Sequence, residues 1–427
     1  MKKRVMSFLM VLAVLAICEL SIFLLASTAK VTITYWHCWG GYHAEVMQKA
    51  GDEFNKLHPN IKVELLVVPY EQLRPKLTIA VVAGSSPDVV CLWDPDRHLY
   101  ERTYTPLNDF IAGDPDINLE DYFPGLMDEV TYKGKIYGLP RVGCSTLMFY
   151  NKDVFEEVGL DPERPPGNWK ELESYSDKTT KKDARGGYER VGFIPWEEAG
   201  GGIQLPQQFV WQVGGKWYDP ETKKVITTSP EHFRVFHWFE SWAEKYDIRK
   251  ISAFKATEAG FFSNFAGEKR ILRVNGNWGV QDIEKYGRKG LKYGVTLLPF
   301  PEGGRPTSMF WTDSTAVVRG TKHLQEAWEF VKWYTTDGIK IMIPIMTEMP
   351  ARYDQLDMEV YQDPIMQEFI KALAYNCSIP DFPIKEFYQT NLEAAVDYII
   401  YGKKTVEEAL AEVQTKVQKE LDRVLAK

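Results

Sequence analysis

The sequence predicts an α/β protein in two lobes, the first built on a mainly parallel sheet with helices on both faces. Three observations predict it. Segments with the period of a strand and of a helix alternate from Val31 to Trp93. A chain of 427 residues exceeds one compact core and suits two lobes of ordinary domain size. A Pro-rich stretch following Thr146 opens a second region with helices of its own.

Taken in order, Met1 to Ala29 has the three parts of a secretory signal: basic Lys2, Lys3 and Arg4, apolar Val5 to Ile17, and small residues at Ser27-Thr28-Ala29. The mature chain then begins near Lys30, in a secreted protein that is periplasmic or associated with the cell surface. Two other readings stay open. One is an uncleaved anchor, because the apolar stretch resumes from Leu20 to Ala26, although Glu19 interrupts it. The other is a lipid-carrying Cys18, although Ile17 stands where lipoprotein signals usually carry a small residue.

Val31 to Trp36 reads as a short strand, and Val46, Ala50, Phe54 and Leu57 recur at helical spacing until His58-Pro59-Asn60 closes that helix. Ile61 to Val68 alternates apolar Ile61, Val63, Leu65 and Val67 with Lys62 and Glu64, the period of a strand. Leu73 to Ala83 is a second apolar-faced helix, followed by "GSSPD" and the strand "VVCLW". Ligands of such sheets bind beyond the carboxyl ends of the strands. Past the first strand stand Trp36, His37, Trp39 and Tyr42; past the second, Tyr70; past the third, Trp93, Asp94, Asp96 and Arg97. An aromatic ring therefore closes each strand, where it caps the sheet or faces a ligand. Rings mixed with carboxylates and a guanidinium suit a pyranose, whose C–H faces stack on aromatics while its hydroxyls take bidentate polar partners.

"YKGKIYGLP" reads as a hairpin with a Lys-Gly turn, and the lobe boundary falls near Arg141 to Thr146. In Pro230 to Tyr246 the rings Phe233, Phe236, Trp238 and Trp242, together with His237, keep helical spacing and read as core. "KRILRV" reads as a strand, "NGN" as its terminating turn and "WGVQDIEKYG" as a helix start, which sets Trp278 at a strand end facing a ligand. Thr405 and Glu408 form a capping box for a last helix that packs through Val406, Leu410, Val413 and Val417.

The charge and cysteine content narrow the function. Net charge is −8, and loss of the first 29 residues, with three basic and one acidic side chain, leaves −10; such a surface repels nucleic acid and anionic membrane. Cys38, Cys91, Cys144 and Cys377 show no Cys-x-x-Cys unit, so a metal or iron-sulfur site is not expected. Buried free thiols are the favoured reading, with pairing of two of them open in an oxidising compartment.

The order of "ITYWHCWGG", "EFNKLHPNIKVE", "AGSSPDVV", "YGLP", "FYNKDVFEEVGLDPERPPGNWKEL", "GEKRILRVNGNWG", "YGVTLLPFPEG", "EAWEFVKWY" and "GKKTVEEALAEVQTKV" resembles the extracellular solute-binding proteins of ABC sugar importers, the maltose-binding-protein-like family. The resemblance covers nearly the whole chain after the signal. It implies the two-lobe periplasmic-binding-protein fold, α/β, with each lobe a mainly parallel sheet flanked by helices and a ligand cleft between the lobes. On that pattern the N-terminal lobe is 30–143 and 300–344, and the C-terminal lobe 144–299 and 345–427. In the family a tryptophan after an Asn-Gly turn stacks on the sugar, and Trp278 matches it; Trp93, Asp94, Asp96 and Arg97 match a second sugar-contacting loop, and Gln204 and Trp311 fall in stretches facing the cleft. One departure stands out: Tyr388 and Gln389 occupy a region where relatives carry an aromatic pair, so maltose itself is not implied as cargo.

The resemblance implies a monomer without cofactor or metal that captures a sugar or oligosaccharide and delivers it to an ABC permease. An alternative keeps the fold and binds glycerol phosphate or a related ester through His37, Arg97 and Arg352. A secreted carbohydrate-active enzyme is the other alternative, but the chain has no Gly-x-Ser-x-Gly, His-Glu-x-x-His or Walker A motif and singles out no carboxylate pair.

Overall fold

The structure, a computed structural model, describes residues 30–93, 97–196, 205–257, 263–377 and 384–426. The signal segment, Asp94, Asp96 and Gln204 lie outside the described residues. Among the described residues no helix is long and apolar enough to cross a membrane.

The first lobe follows the alternation in the sequence. Strand β1 (Val31–His37) runs parallel to β2 (Ile61–Val67) in unbroken register from Val31 opposite Ile61 to His37 opposite Val67. Helix α1 (Gly41–Leu57) connects them and buries Val46, Ala50 and Phe54. Burial of one such side chain as Phe54 contributes about 2 kcal/mol. Leu57 departs from the expected face and is 57% exposed, because the helix ends there and the His58 amide turns back to the Phe54 carbonyl (2.9 Å). Helix α2 (Tyr70–Ala83) starts three residues before the expected Leu73 and ends on Gly84 in the left-handed region, φ 67°. It leads to β3 (Val89–Trp93), which is parallel to β1.

One long strand runs through the sheet. β4 (Leu139–Asn151) is buried along its whole length, and a strand covered on both faces has no reason to alternate. Its partners toward its C-terminal end are β5 (Leu272–Gly276), which leads into helix α3 (Gly279–Tyr286), and β6 (Tyr293–Thr296). Strand β7 (Ser308–Val317) pairs antiparallel with β4 along its middle, with β3 at its first-lobe end and parallel with β8 (Asn376–Cys377) at the other end. The sheet order is β5-β4-β7-β3-β1-β2. The expected parallel sheet holds for β1, β2 and β3. By contrast β5 and β6 are antiparallel to β4.

Other local expectations are met, except that His237, read as core, is exposed because it pairs with Glu240 and Glu407 on the outer face of its helix. The Lys-Gly hairpin turn has Lys133 at φ 49° and Gly134 at φ 74°, both left-handed. The helix Pro230–Lys245 buries Phe236 and Trp242, and Trp238 stacks on Trp169 at 4.2 Å, while His237 faces out between Glu240 and Glu407. Helix α4 (Lys385–Ile400) packs on α5 (Val406–Leu425), whose Thr405 and Glu408 exchange the two bonds of a capping box, 3.2 and 3.1 Å. The four cysteines of the described residues are free thiols, with Cys91 and Cys144 buried and Cys38 and Cys377 half-buried.

Candidate functional site

The site is organised by an irregularity in the shared strands. Asp313 on β7 faces Val142 while Ser314 faces Pro140, so Arg141 is the extra residue of a β-bulge. The bulge turns the Arg141 guanidinium inward, where it donates to Asp313 Oδ2 and lies 3.6 Å from Glu348 Oε1, all three side chains at most 1% exposed. Burial pushes the Glu348 carboxyl up to about 7, with Arg141 pulling the other way. Asp313 Oδ2 also accepts a hydrogen bond from Trp39 Nε1 (2.9 Å). The loop after β1 is thereby fastened to β7.

The Asn-Gly-Asn segment does more than end a strand. Asn275 and Gly276 belong to the end of β5, and Trp278 is the N-cap residue of α3. Asn277 is fully buried and exchanges bonds with Ser145 on β4, its amide donating to the Ser145 carbonyl and its Oδ1 accepting from the Ser145 amide (3.1 Å each). Asn277 Nδ2 donates to the Thr347 carbonyl (3.0 Å) and to Glu348 Oε2 (3.3 Å). One side chain thus ties the start of α3 to β4 and to the segment at 347–348. Gly276 is required because the Trp278 indole folds back over it: a Cβ at 276 would stand 2.2 Å from that ring.

From there rings and charges continue across the molecule. Trp278, 4% exposed, meets Trp311 edge to face, with centroids 5.9 Å apart and planes at 76°. Trp311 and Asp313 are two apart on one strand and share a face. The sequence Trp278, Trp311, Asp313, Trp39 therefore runs from the start of α3 across β7 to the loop after β1. Two further contacts join distant elements: Lys285 Nζ on α3 sits 3.8 Å from the centre of the Tyr42 ring on α1, and Arg74 on α2 pairs with Glu386 on α4 at 3.2 Å. Asp282, 2% exposed on α3, is pushed up to about 7 by burial against the pull of Arg273 and Lys285.

The other expected residues fall as follows. Trp36 is half-buried under Lys76 Nζ, 5.1 Å away. His37 is 1% exposed, and burial followed by Arg141 lowers its pKa to about 4, so it is neutral at pH 7. Tyr70 opens α2 and lines a cavity of about 240 Å³ with Leu77, Cys91, Tyr100 and Glu386. Trp93 ends β3 opposite Asp313, and Arg97 begins the short 3-10 turn that follows. Arg352 is not brought to this group: it pairs with Asp354 (2.9 and 3.1 Å) and Asp121 (3.4 Å) against the Tyr122 ring. Tyr388 is buried edge-on to Trp217. Among the described residues no three His, Cys, Asp or Glu side chains are grouped to hold a metal ion.

Arg141, Asn277, Asp313 and Glu348 were not singled out from the sequence. The signal for two of them was present, since an Arg inside "LPRVGC" and an Asp inside "FWTDSTAVV" are charges in apolar strands, and buried charges need partners.

The sequence model of the bacterial extracellular solute-binding proteins matches residues 40–341, more than two thirds of the chain. The chain belongs to that family. This solute-binding protein is 24% identical over 412 residues to the maltotriose-binding protein of Pyrococcus abyssi (strain GE5 / Orsay), covering 92% of this chain and 83% of that one. It is 22% identical over 284 residues to the sn-glycerol-3-phosphate-binding periplasmic protein of Salmonella typhimurium (strain LT2), covering 64% and 62%. Its fold matches the solved structure of CpMnBP1 with mannotriose bound at a TM-score of 0.83 and 27% identity, over 91% of this chain and all of that one. These relatives of the solute-binding protein are binding proteins rather than enzymes.

Proposed function

We propose that this solute-binding protein captures a sugar or oligosaccharide outside the cytoplasm, as a monomer and without catalysis, and delivers it to an ABC permease. The observation that carries the reading is the aromatic and carboxylate path Trp278, Trp311, Asp313 and Trp39, which draws on both lobes. Stacking faces beside a carboxylate match the two faces of a pyranose. We assign the lobes as 30–143 with 300–344, and 144–299 with 345–427, and the cleft lies beside β4, the strand that passes between them on these bounds. Trp278 is covered when the lobes meet through Tyr42 and Lys285, and parting them opens its ring as a platform. Trp36, Trp93, Asp94, Asp96, Arg97 and Gln204 complete the sugar contacts. A ligand favours the closed form only by its differential affinity for the two states, which contacts from both lobes supply.

The maltotriose-binding and mannotriose-bound relatives support a sugar over the phosphate ester. So does the chemistry, because His37 is neutral at pH 7 and Arg352 already holds two carboxylates. The test is tryptophan fluorescence and calorimetric titration of the purified protein against mono- and oligosaccharides and glycerol 3-phosphate. Saturable binding of a sugar without turnover is expected. Saturable binding of glycerol 3-phosphate alone, weakened by salt, would replace this reading, as would release of product from an oligosaccharide.

A further inference from the structure

The four cysteines are not equivalent. The Cys91 S–H donates toward Cys38 Sγ at 3.9 Å. Cys91 is on β3 and Cys38 directly follows β1, and these strands are parallel neighbours with Trp36 opposite Val90. That register sets Cys91 beside His37, one residue before Cys38, and an inter-strand spacing of about 4.8 Å combined with a rise of about 3.3 Å puts the two α-carbons roughly 6 Å apart, inside the roughly 4.4–6.8 Å that a disulfide spans. The sulfurs, 3.9 Å apart, have to close by about 2 Å to bond. By contrast Cys144 is buried on β4, and Cys377 Sγ donates to the Tyr375 carbonyl (3.8 Å).

From this juxtaposition we infer that Cys38 and Cys91 are a redox-modification site, a dithiol that closes to a disulfide when the protein meets a low-molecular-weight disulfide such as oxidised glutathione. The Cys38 thiolate attacks one sulfur of the oxidant, forming a mixed disulfide and expelling one glutathione thiolate, which takes up the proton Cys38 lost. Cys91 then gives up its proton and attacks Cys38 Sγ, expelling the second glutathione. Two thiols are oxidised by two electrons to one S–S bond, and one molecule of oxidised glutathione becomes two of the reduced form. The order follows from exposure: Cys38 is half-buried and reachable, whereas Cys91 is 3% exposed and its thiol is held well above its ordinary pKa by the bond to Cys38 and by burial.

The bond would restrain the unfolded chain by closing a loop that contains β2, α1 and α2. It would also pin the segment between His37 and Trp39 to β3, two residues before Trp93, without requiring any ligand.

The inference stands on the thiols alone and is tested without a sugar. The full, folded protein is incubated with oxidised glutathione near pH 8, quenched with an alkylating agent under denaturing conditions, digested and mapped by mass spectrometry. A linked peptide joining Cys38 to Cys91 is expected, with Cys144 and Cys377 alkylated, and the oxidised protein melts a few degrees above the reduced one. Cys38→Ser abolishes both the link and the shift. A stable glutathione adduct on Cys38, alkylation of both thiols, or a link to Cys144 or Cys377 overturns the assignment, and the wild-type map decides even if the variant folds poorly.

Discussion

Arg141 donates to Asp313 where β4 and β7 pair, and neither side chain reaches solvent. The pair sits beside Glu348, and Asp313 also receives Trp39, so one buried cation supports two carboxylates and an aromatic of the candidate site.

Removing that cation leaves two buried carboxylates without it. Arg141→Met is expected to destabilise the protein by about 3–5 kcal/mol, the cost of breaking a buried pair from one side. The double variant Arg141→Met with Asp313→Leu recovers part of the loss. Urea unfolding of the set checks this, and a single variant within 1 kcal/mol of wild type would show that the cluster is hydrated.

Glu348 carries a pH signature. Burial raises its folded-state pKa to about 7 from an ordinary 4.5, so the folded chain binds this proton more tightly than the unfolded one. The associated stability is complete below about 4.5 and is lost as pH rises through about 7. Glu348→Gln cannot titrate there, so its stability relative to wild type is expected to rise across that interval. His37, His43 and His232 oppose this, being lowered to about 4 from 6.5 mainly by burial, and they remove stability as pH falls from 6.5 toward 4. Melting curves between pH 4 and 8 of both proteins separate the contributions; parallel curves would remove Glu348 as the titrating group.

Trp278→Ala is expected to weaken sugar binding at least tenfold, about 1.4 kcal/mol or more, and to cost about 3 kcal/mol of stability because the ring is also packed. Titration calorimetry beside chemical denaturation distinguishes the two losses. Affinity equal to wild type would take Trp278 out of the site.

Gly276→Ala reaches the same ring without touching a ligand. Its Cβ displaces the indole from 2.2 Å, so a loss of about 1–3 kcal/mol in stability and weaker binding are expected together. Undiminished stability would mean that the indole relocates freely.

Lys285→Ala removes the cation over Tyr42 and with it a contact between α3 and α1, which the proposed lobe closure would make and opening would break. A few-fold faster ligand release is expected, matching about 0.5–1 kcal/mol. Arg74→Ala should do less, since its partner Glu386 is two-thirds exposed. Stopped-flow dissociation of the two variants ranks them.

Much of the fold was legible because it is local. The alternation from Val31 to Trp93, the buried face of α1, the Lys133-Gly134 turn and the Thr405–Glu408 capping box each depend on residues within a few positions of one another, and side-chain period and backbone conformation suffice to specify them. The sequence by itself also determined the family, through the order of its segments, and the aromatic character of the strand ends. Tertiary structure alone decided the rest: the antiparallel partners of β4, the bulge at Arg141, the folding of Trp278 over Gly276, the diversion of Arg352 to Asp121 and the approach of Cys38 to Cys91. Apart from the turn of Trp278, these join positions tens to hundreds of residues apart. Whether a buried charge or ring meets a partner depends on how packed strands bring such positions together, and no local period encodes that.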